Sequence, residues 1–518
     1  MIALEKADLV LHGGNVFGHP DSDTVAVASD RIIAHGSFTD LKGLVGQKTR
    51  MVRLAGRTVA PGFIDCHLHF MEAAAVATGV DVTRCRSIED LLADLRVAAG
   101  RTPAGNWLRA FGCDEALMRE ARGPGRDELD RAVARNPLRL RHQTLHGSWL
   151  NSRAIAQLGL ERESFVPPDG AWLERDSSGR LTGLVVGMEQ WLSRMLPFVT
   201  SAELEGRVRN FSKELAASGV TAFTDATFRN GPEDVVTFAR LLAARTIGQR
   251  VNVMVGRRPF DEVNETRNAA ATPGLQLAGV KFTGVAERQP DELAHEVARA
   301  FTQHLDCAFH ATEVEELEGA LQAIANARQI AGELPGPHPI ARIEHGGVIP
   351  PDYPERIAQL GVWVVTNPGF VHYRGAKYAA EPGLIPYTYP ARSLIAAGVK
   401  LAAATDAPVT PARPLAAIAA AITRTSKDGA VLAPEERLTT TQAFDLFTRS
   451  AAEASRLDAG VIEEGRLADL IVLPADPAKL DPAALRTLAV DMTVVGGRTI
   501  YERGLAAGIH RSDAGRGR

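Results

Sequence analysis

Cysteine is scarce in this chain: four residues in 518, at positions 66, 85, 113 and 307. None forms a CxxC pair, which argues against both a disulfide framework and a thiolate zinc site. Excess charge of one sign is also missing. Lys and Arg number 58 against 62 Asp and Glu, a formal net charge of −4, so no dedicated surface for nucleic acid or an anionic membrane is expected. Long apolar runs are absent too; nothing approaches the roughly 18 residues that span a bilayer. The opening MIALEKADLV carries charges and lacks an apolar core segment, so no signal peptide is expected. A soluble protein in a reducing, cytoplasmic setting is the default expectation. Internal repeats and low-complexity segments are lacking as well.

What is present is ordinary globular composition, 45% hydrophobic and 23% charged, in a chain long enough for a large core and more than one domain. Short strand-like segments open it: ADLVLH at 7–12, TVAVASDRIIAH at 24–35 and RMVRL at 50–54. The same texture returns in ADLIVL at 468–473 and MTVVGGRTIY at 492–501. Neither set makes a stable sheet system alone, so residues 1–57 and 461–508 are expected to form one composite β-sandwich, with 509–518 a frayed tail.

Between them, apolar strands alternate with amphipathic helical stretches, the pattern of parallel β/α units. Eight strands are placed near 58–66, 219–226, 250–256, 277–283, 307–311, 341–346, 361–367 and 400–406. The expected fold is α/β, a (β/α)8 TIM barrel over 58–460. The first gap, about 71–218, is far too long for a connecting loop and must hold an inserted structure, a lid or cap.

Chemistry-bearing residues collect at the strand ends. His67 and His69 in PGFIDCHLHF are two apart, so both side chains leave a strand on one face and can share an ion. Lys281, His310, His345 and Asp406 each sit at or near the end of a later apolar run. A parallel barrel brings such ends around one mouth, where its active sites are built. A lone barrel histidine is more often a packed residue than a ligand, and Asp406 alone reads as a helix cap before Ala-Pro. The ordered set of six points to a metallohydrolase. Glu344, next to His345, is expected to face away into the barrel wall or a salt bridge.

APGFIDCHLHF, GVKF, RIEH, ATDAP and EEGRLADLIVL together resemble the amidohydrolase superfamily. LHGSWLN at 145–151 and the stretch from Pro168 to Gly183 resemble its amidohydrolase-3 branch, which includes N-substituted formamide deformylases. One departure stands out: that branch usually continues the strand-five histidine with an Ile-Gly-Asp-Arg-like stretch, and here the chain reads His310-Ala311-Thr312-Glu313.

The resemblance implies that all six residues bind metal, two zinc ions per chain. A protonated lysine repels metal. Burial in LAGVKF would lower the Lys281 pKa, freeing the amine to take up carbon dioxide as a carbamate that bridges two ions. The competing expectation is a Lys281 ammonium paired with an acid inside the barrel. The resemblance also implies that His142, His146, Trp149 and Asn151 line the substrate pocket, although core packing of the insertion explains them equally. Glu313 and the polar-aromatic run of Phe370, His372, Tyr373 and Tyr378 are further candidates for the pocket wall.

The reaction that follows is hydrolysis of a non-peptide C–N bond in a small amide-like molecule by metal-activated water. Asp406 serves as general base and then acid, and His345 or a nearby histidine steadies the oxyanion. Two alternatives stay open. One is a mononuclear zinc deaminase using Glu313 of HATE as proton shuttle. The other is a silent scaffold on this fold, which would be expected to have lost ligands, and none is missing. By analogy the chain is expected to be a homodimer.

Overall fold

The computed structural model describes residues 6–76, 79–143, 147–168, 170–196, 201–257 and 271–503. The chain divides into two compact units: Met1–Phe70 with Phe211–Arg518, and Met71–Asn210.

The first unit is built on an eight-stranded parallel sheet of the (β/α)8 type. Its strands are β1 Phe63–Leu68, β2 Val220–Asp225, β3 Arg250–Gly256, β4 Leu275–Phe282, β5 Cys307–Ala311, β6 Ala341–His345, β7 Trp363–Thr366 and β8 Lys400–Ala403. Each pairs in parallel with the next in sequence order. The eight β-branched, apolar runs are thus strands buried on both faces, as a parallel sheet under helices requires. β1 and β8 are joined just beyond their ends: Asp406 N–H donates to His67 O at 2.9 Å and His69 N–H to Ala407 O at 2.8 Å. Two glycines allow close approach. A Cβ on Gly62 would lie 2.2 Å from Thr221 Cγ2. Gly279 (φ +141°) sits where a Cβ would meet Asp306 O at 2.1 Å, the carbonyl that accepts from Val280 N–H.

The chain ends form two sheets. One contains Arg31–Gly36, Thr24–Ala28, Leu9–His12 and Arg50–Arg53, the other Asn15–Val16, Thr58–Pro61, Leu470–Leu473, Met492–Val495 and Arg498–Glu502. They share a core of Leu9, Leu11, Val25, Val27, Leu470, Val472, Met492 and Val494. The expected first barrel strand, 58–66, is two strands here. Thr58–Pro61 pairs antiparallel with Leu470–Leu473 in the terminal sheet, and Gly62 separates it from β1. One apolar run hid the change of sheet because Val59, Ala60, Phe63 and Ile64 are all buried.

The second unit, Met71–Asn210, is followed by the rest of the helix Ser201–Ala217, which leads to β2. This unit carries a six-stranded sheet in the order Trp172–Arg175, Leu181–Val186, Gly147–Leu150, Leu138–His142, Leu108–Cys113 and Val80–Asp81. The helix Ile88–Arg101, capped by Ser87, buries Ile88, Leu91, Leu92 and Leu95 in this unit's core. Where the chain leaves and re-enters the first unit, Phe70 packs on Phe211 at 5.2 Å and stacks on Phe223 at 4.7 Å. Among the described residues no helix is long and apolar enough to cross a membrane.

Candidate metal centre

β1 presents Asp65 and His67 at alternate positions, with His69 just past its end continuing the spacing. Just past β8, Asp406 meets them: its Oδ1 is 3.2 Å from His69 Nε2 and 3.6 Å from His67 Nε2. His67, His69 and Asp406 supply ligand atoms all within 4.8 Å of one another. β5 and β6 add His310 and His345, whose Nδ1 and Nε2 lie 3.0 Å apart. The rings of His67 and His345 are 4.9 Å apart, which joins the two groups. Lys281, from β4, reaches within 3.9 Å of Glu344 Oε2. The first unit thus gathers all six strand-end residues.

Three of the four imidazoles are oriented by their other nitrogen. His67 Nδ1 bonds Glu344 Oε2, His69 Nδ1 meets Thr227 Oγ1 at 3.0 Å, and His345 Nδ1 meets Asn367 Oδ1 at 2.8 Å. Burial, with the charge of Lys281 beside them, lowers the pKa of His67, His345 and His310. They are therefore neutral, as metal ligands must be. Burial alone would raise the Asp406 carboxyl. The closeness of His69, with His345 and Lys281 nearby, outweighs it and holds the group below the ordinary value, ionised. The Lys281 amine is pushed down to about 8 by burial, against the pull of Glu344.

Two buried polar atoms stand without a hydrogen-bond partner at the centre of this cluster, Asp406 Oδ1 and Lys281 Nζ. Such atoms cost free energy unless something else satisfies them. Neutral imidazoles, an ionised carboxylate and two orphaned atoms fit a divalent cation.

Several supporting residues escaped sequence reasoning. Glu344 does make a salt bridge, to Arg342 Nε, but it lies inside the barrel beneath His67 rather than in the wall. Arg342 also donates to Cys66 O at 2.7 Å, tying β6 to β1. Strand alternation would send Glu344 and His345 to opposite faces. His345 has φ +72°, which breaks the alternation and lets both neighbours serve one site. Asp406 has φ +59°. Non-glycine residues held in this region store strain, a feature that clusters at functional sites. Asp65 accepts from Thr405 N–H at 3.0 Å and from Thr405 Oγ1 at 2.5 Å, fixing the segment that carries Asp406. Burial raises its carboxyl to about 7. Asp225, at the end of β2, accepts from Phe70 N–H, Thr227 N–H and Asn230 Nδ2, which positions Thr227 beneath His69. The i, i+2 spacing of Asp65 and His67 was the one readable signal among these.

Of the remaining candidates, Phe370 stacks on the His345 ring at 6.2 Å. Glu313 is exposed at the start of the helix Val314–Ala331, and the charges acting on it are Lys377, Glu316, Glu381 and Glu315. Burial raises its carboxyl. Glu316 is the better placed acid, accepting from Thr312 N–H at 2.7 Å. His372 is buried, with Nδ1 3.0 Å from Thr425 O. Within the second unit, Trp149 lies in the core and packs near His142 at 5.9 Å. Asn151 caps the helix Ser152–Leu158, accepting from Ala154 N–H and Leu138 N–H and donating to Val133 O and Asn136 O. His146 lies outside the described residues.

With this geometry in place, residues 50–501 match the model of the Amidohydrolase family. The chain belongs to the amidohydrolase family. Family membership makes this amidohydrolase a metal-dependent hydrolase of carbon–nitrogen bonds other than peptide bonds. It is 26% identical to an N-substituted formamide deformylase of Arthrobacter pascens, across 93% of this chain and 95% of that protein. It is 24% identical to a putative amidohydrolase of Bacillus subtilis, across 95% and 99%. Among solved structures, an uncharacterized metal-dependent hydrolase from Pyrococcus horikoshii superposes with a TM-score of 0.72 at 21% identity, covering 92% of this chain and 99% of that one. At that identity the amidohydrolase shares the fold with it.

Proposed function

We propose that the protein hydrolyses a linear amide-like C–N bond in a small molecule, a formamide, N-acyl amine, carbamate or urea. Convergence of His67, His69 and Asp406, with Asp406 Oδ1 and Lys281 Nζ both orphaned, is the observation that carries this. Two zinc ions would be held by His67, His69, His310, His345 and Asp406 and bridged by a Lys281 carbamate. Bound there, the metal supplies a carbonyl-polarising charge and a water of near-neutral pKa. Neutral Lys281 Nζ forms the carbamate by attacking carbon dioxide and losing one proton. Glu344 is not free to replace that bridge, because its oxygens are held by His67 and Arg342.

Asp406 is ionised, so it can accept the proton of the attacking water and return it to the departing nitrogen. Glu344, Thr227 and Asn367 keep His67, His69 and His345 in the tautomer whose lone pair faces the centre. The single-metal deaminase alternative asks Glu313 to shuttle protons at the centre. Its carboxylate is exposed among Lys377, Glu316 and Glu381 instead, which favours the amide reading. The relationship to the Arthrobacter pascens deformylase supports the same substrate class.

The test is metal analysis of metal-replete protein combined with a screen of formamides, N-acyl amines, carbamates and aryl ureas. Two ions per chain, falling in Lys281→Ala and partly restored by added short-chain carboxylic acids, are expected. A single tightly bound ion at full activity would overturn the bridge, and no turnover across the screen would overturn the substrate class.

A further inference from the structure

His345 has both ring nitrogens engaged, by Asn367 and His310, so a donor to the developing oxyanion must come from elsewhere. A connected aromatic path leads outward from it. Phe370 stacks on His345 at 6.2 Å, Tyr389 packs edge-on against Phe370 at 5.8 Å, and Tyr378 packs edge-on against Tyr389 at 5.7 Å. The two phenol oxygens are 3.1 Å apart.

From this we infer that the Tyr378 hydroxyl is a catalytic hydrogen-bond donor to the substrate carbonyl oxygen as negative charge builds on it, an inference that rests on the amide-hydrolase reading above.

Burial favours one direction of the Tyr–Tyr hydrogen bond. Tyr389 is 2% exposed, and among the described residues its hydroxyl has Tyr378 Oη as partner. Either phenol could donate; the arrangement that leaves no proton unsatisfied on the more deeply buried ring has Tyr389 donate and Tyr378 accept. The Tyr378 proton is then left for a third group, and accepting one hydrogen bond makes it a stronger donor. Burial raises both phenols, so both remain protonated at neutral pH. Tyr378 lies in the helix Gly375–Ala379, in the segment that follows the C-terminal end of β7 and so belongs to the mouth side of the sheet.

Tyr389 is held with unusual completeness for a loop residue. Its N–H donates to Gly347 O, and its carbonyl accepts from Arg424 Nη1 at 2.9 Å. Arg424 is itself buried and also donates to Thr388 O and Leu432 O. Tyr389 sits at φ +48°, a conformation that a bulky residue keeps only when its surroundings impose it. The scaffold makes Tyr389 a positioning residue for Tyr378.

The experiment compares zinc-loaded wild-type protein with Tyr378→Phe and Tyr389→Phe, variants that retain the ring packing. Calorimetry with methylphosphonate, a tetrahedral anion resembling the addition intermediate, is the readout that needs no substrate. Tyr378→Phe should bind it about tenfold more weakly and Tyr389→Phe a few-fold more weakly, with zinc content and melting temperature unchanged. For any amide turned over, Tyr378→Phe should lower kcat about 10²-fold while KM barely moves. Equal phosphonate affinity in wild type and Tyr378→Phe overturns the inference, as does a wild type that binds none. Loss of zinc in Tyr378→Phe also overturns it, by assigning the phenol to holding the site. A wild type that binds phosphonate through Tyr378 but hydrolyses no amide sinks the substrate reading and leaves the donor standing.

Discussion

Asp406 and His67 are bonded through their main chains, Asp406 N–H to His67 O at 2.9 Å, while Asp406 Oδ1 stands 3.6 Å from His67 Nε2. The same two residues join the barrel's first and last strands and face each other across the candidate metal position. Ligand geometry is therefore set by the sheet itself. Asp65, which holds Thr405, and Arg342, which holds Cys66 O, reinforce that seam from inside.

Asp406→Asn keeps the shape and the main-chain bond but removes the base. Turnover should fall by more than the roughly 10²–10⁴-fold usual for general acid–base catalysis alone, because the carboxylate also orients the nucleophile. Circular dichroism should stay unchanged. Near-normal kcat would refute the assignment.

Glu344 and Asn367 act through the histidines they hold. Asn367→Ala should weaken metal binding about 10–100-fold, measured by competition with a chelator. Glu344→Gln should do the same and also destabilise, since Arg342 is left as a buried unpaired charge. Breaking such a pair costs about 3–5 kcal/mol, visible as a lower urea midpoint. Unchanged metal affinity in both variants would contradict the orienting role.

The two terminal sheets share one core, so neither is self-sufficient. Removing residues 1–55 should uncover the apolar sides of Leu470, Val472, Met492 and Val494 and give aggregated protein in sedimentation. A soluble, active truncation would be incompatible with that core.

All four cysteines are free and buried. Burial pushes Cys66 and Cys113 to about 12 and Cys85 to about 11, and Cys307 well above the ordinary thiol value. The thiolate is the reactive form, so at pH 8 a disulfide reagent should titrate essentially none in the native protein and four after unfolding. The pKa values are raised on folding, so the unfolded chain releases these protons first. Stability should fall as pH rises from about 8.5 toward 11. A fast-reacting thiol in native protein would contradict the burial.

His67, His69 and Asp406 were legible because ordinary core packing seldom places two histidines at i, i+2 on a strand end and an acid at the end of another. Strand order was legible from periodicity. Glu344, Asn367, Thr227 and Asp225 were not, because their partners lie far away in sequence and their roles exist only once the barrel closes. Alternation misplaced Glu344 because a left-handed His345 leaves no trace in a one-dimensional pattern. Asn151 carried a readable signal, an Asn before Ser-Arg-Ala, that favours a helix N-cap.

The aromatic clasp of Phe70, Phe211 and Phe223 brings the two ends of the excursion together inside the first unit. The barrel therefore spans the gap whatever the intervening chain does, and the loop-closure cost grows only slowly with its length. Such a junction behaves as a socket. The chain between its two contacts can lengthen, shorten or be exchanged while the six strand-end residues keep their places.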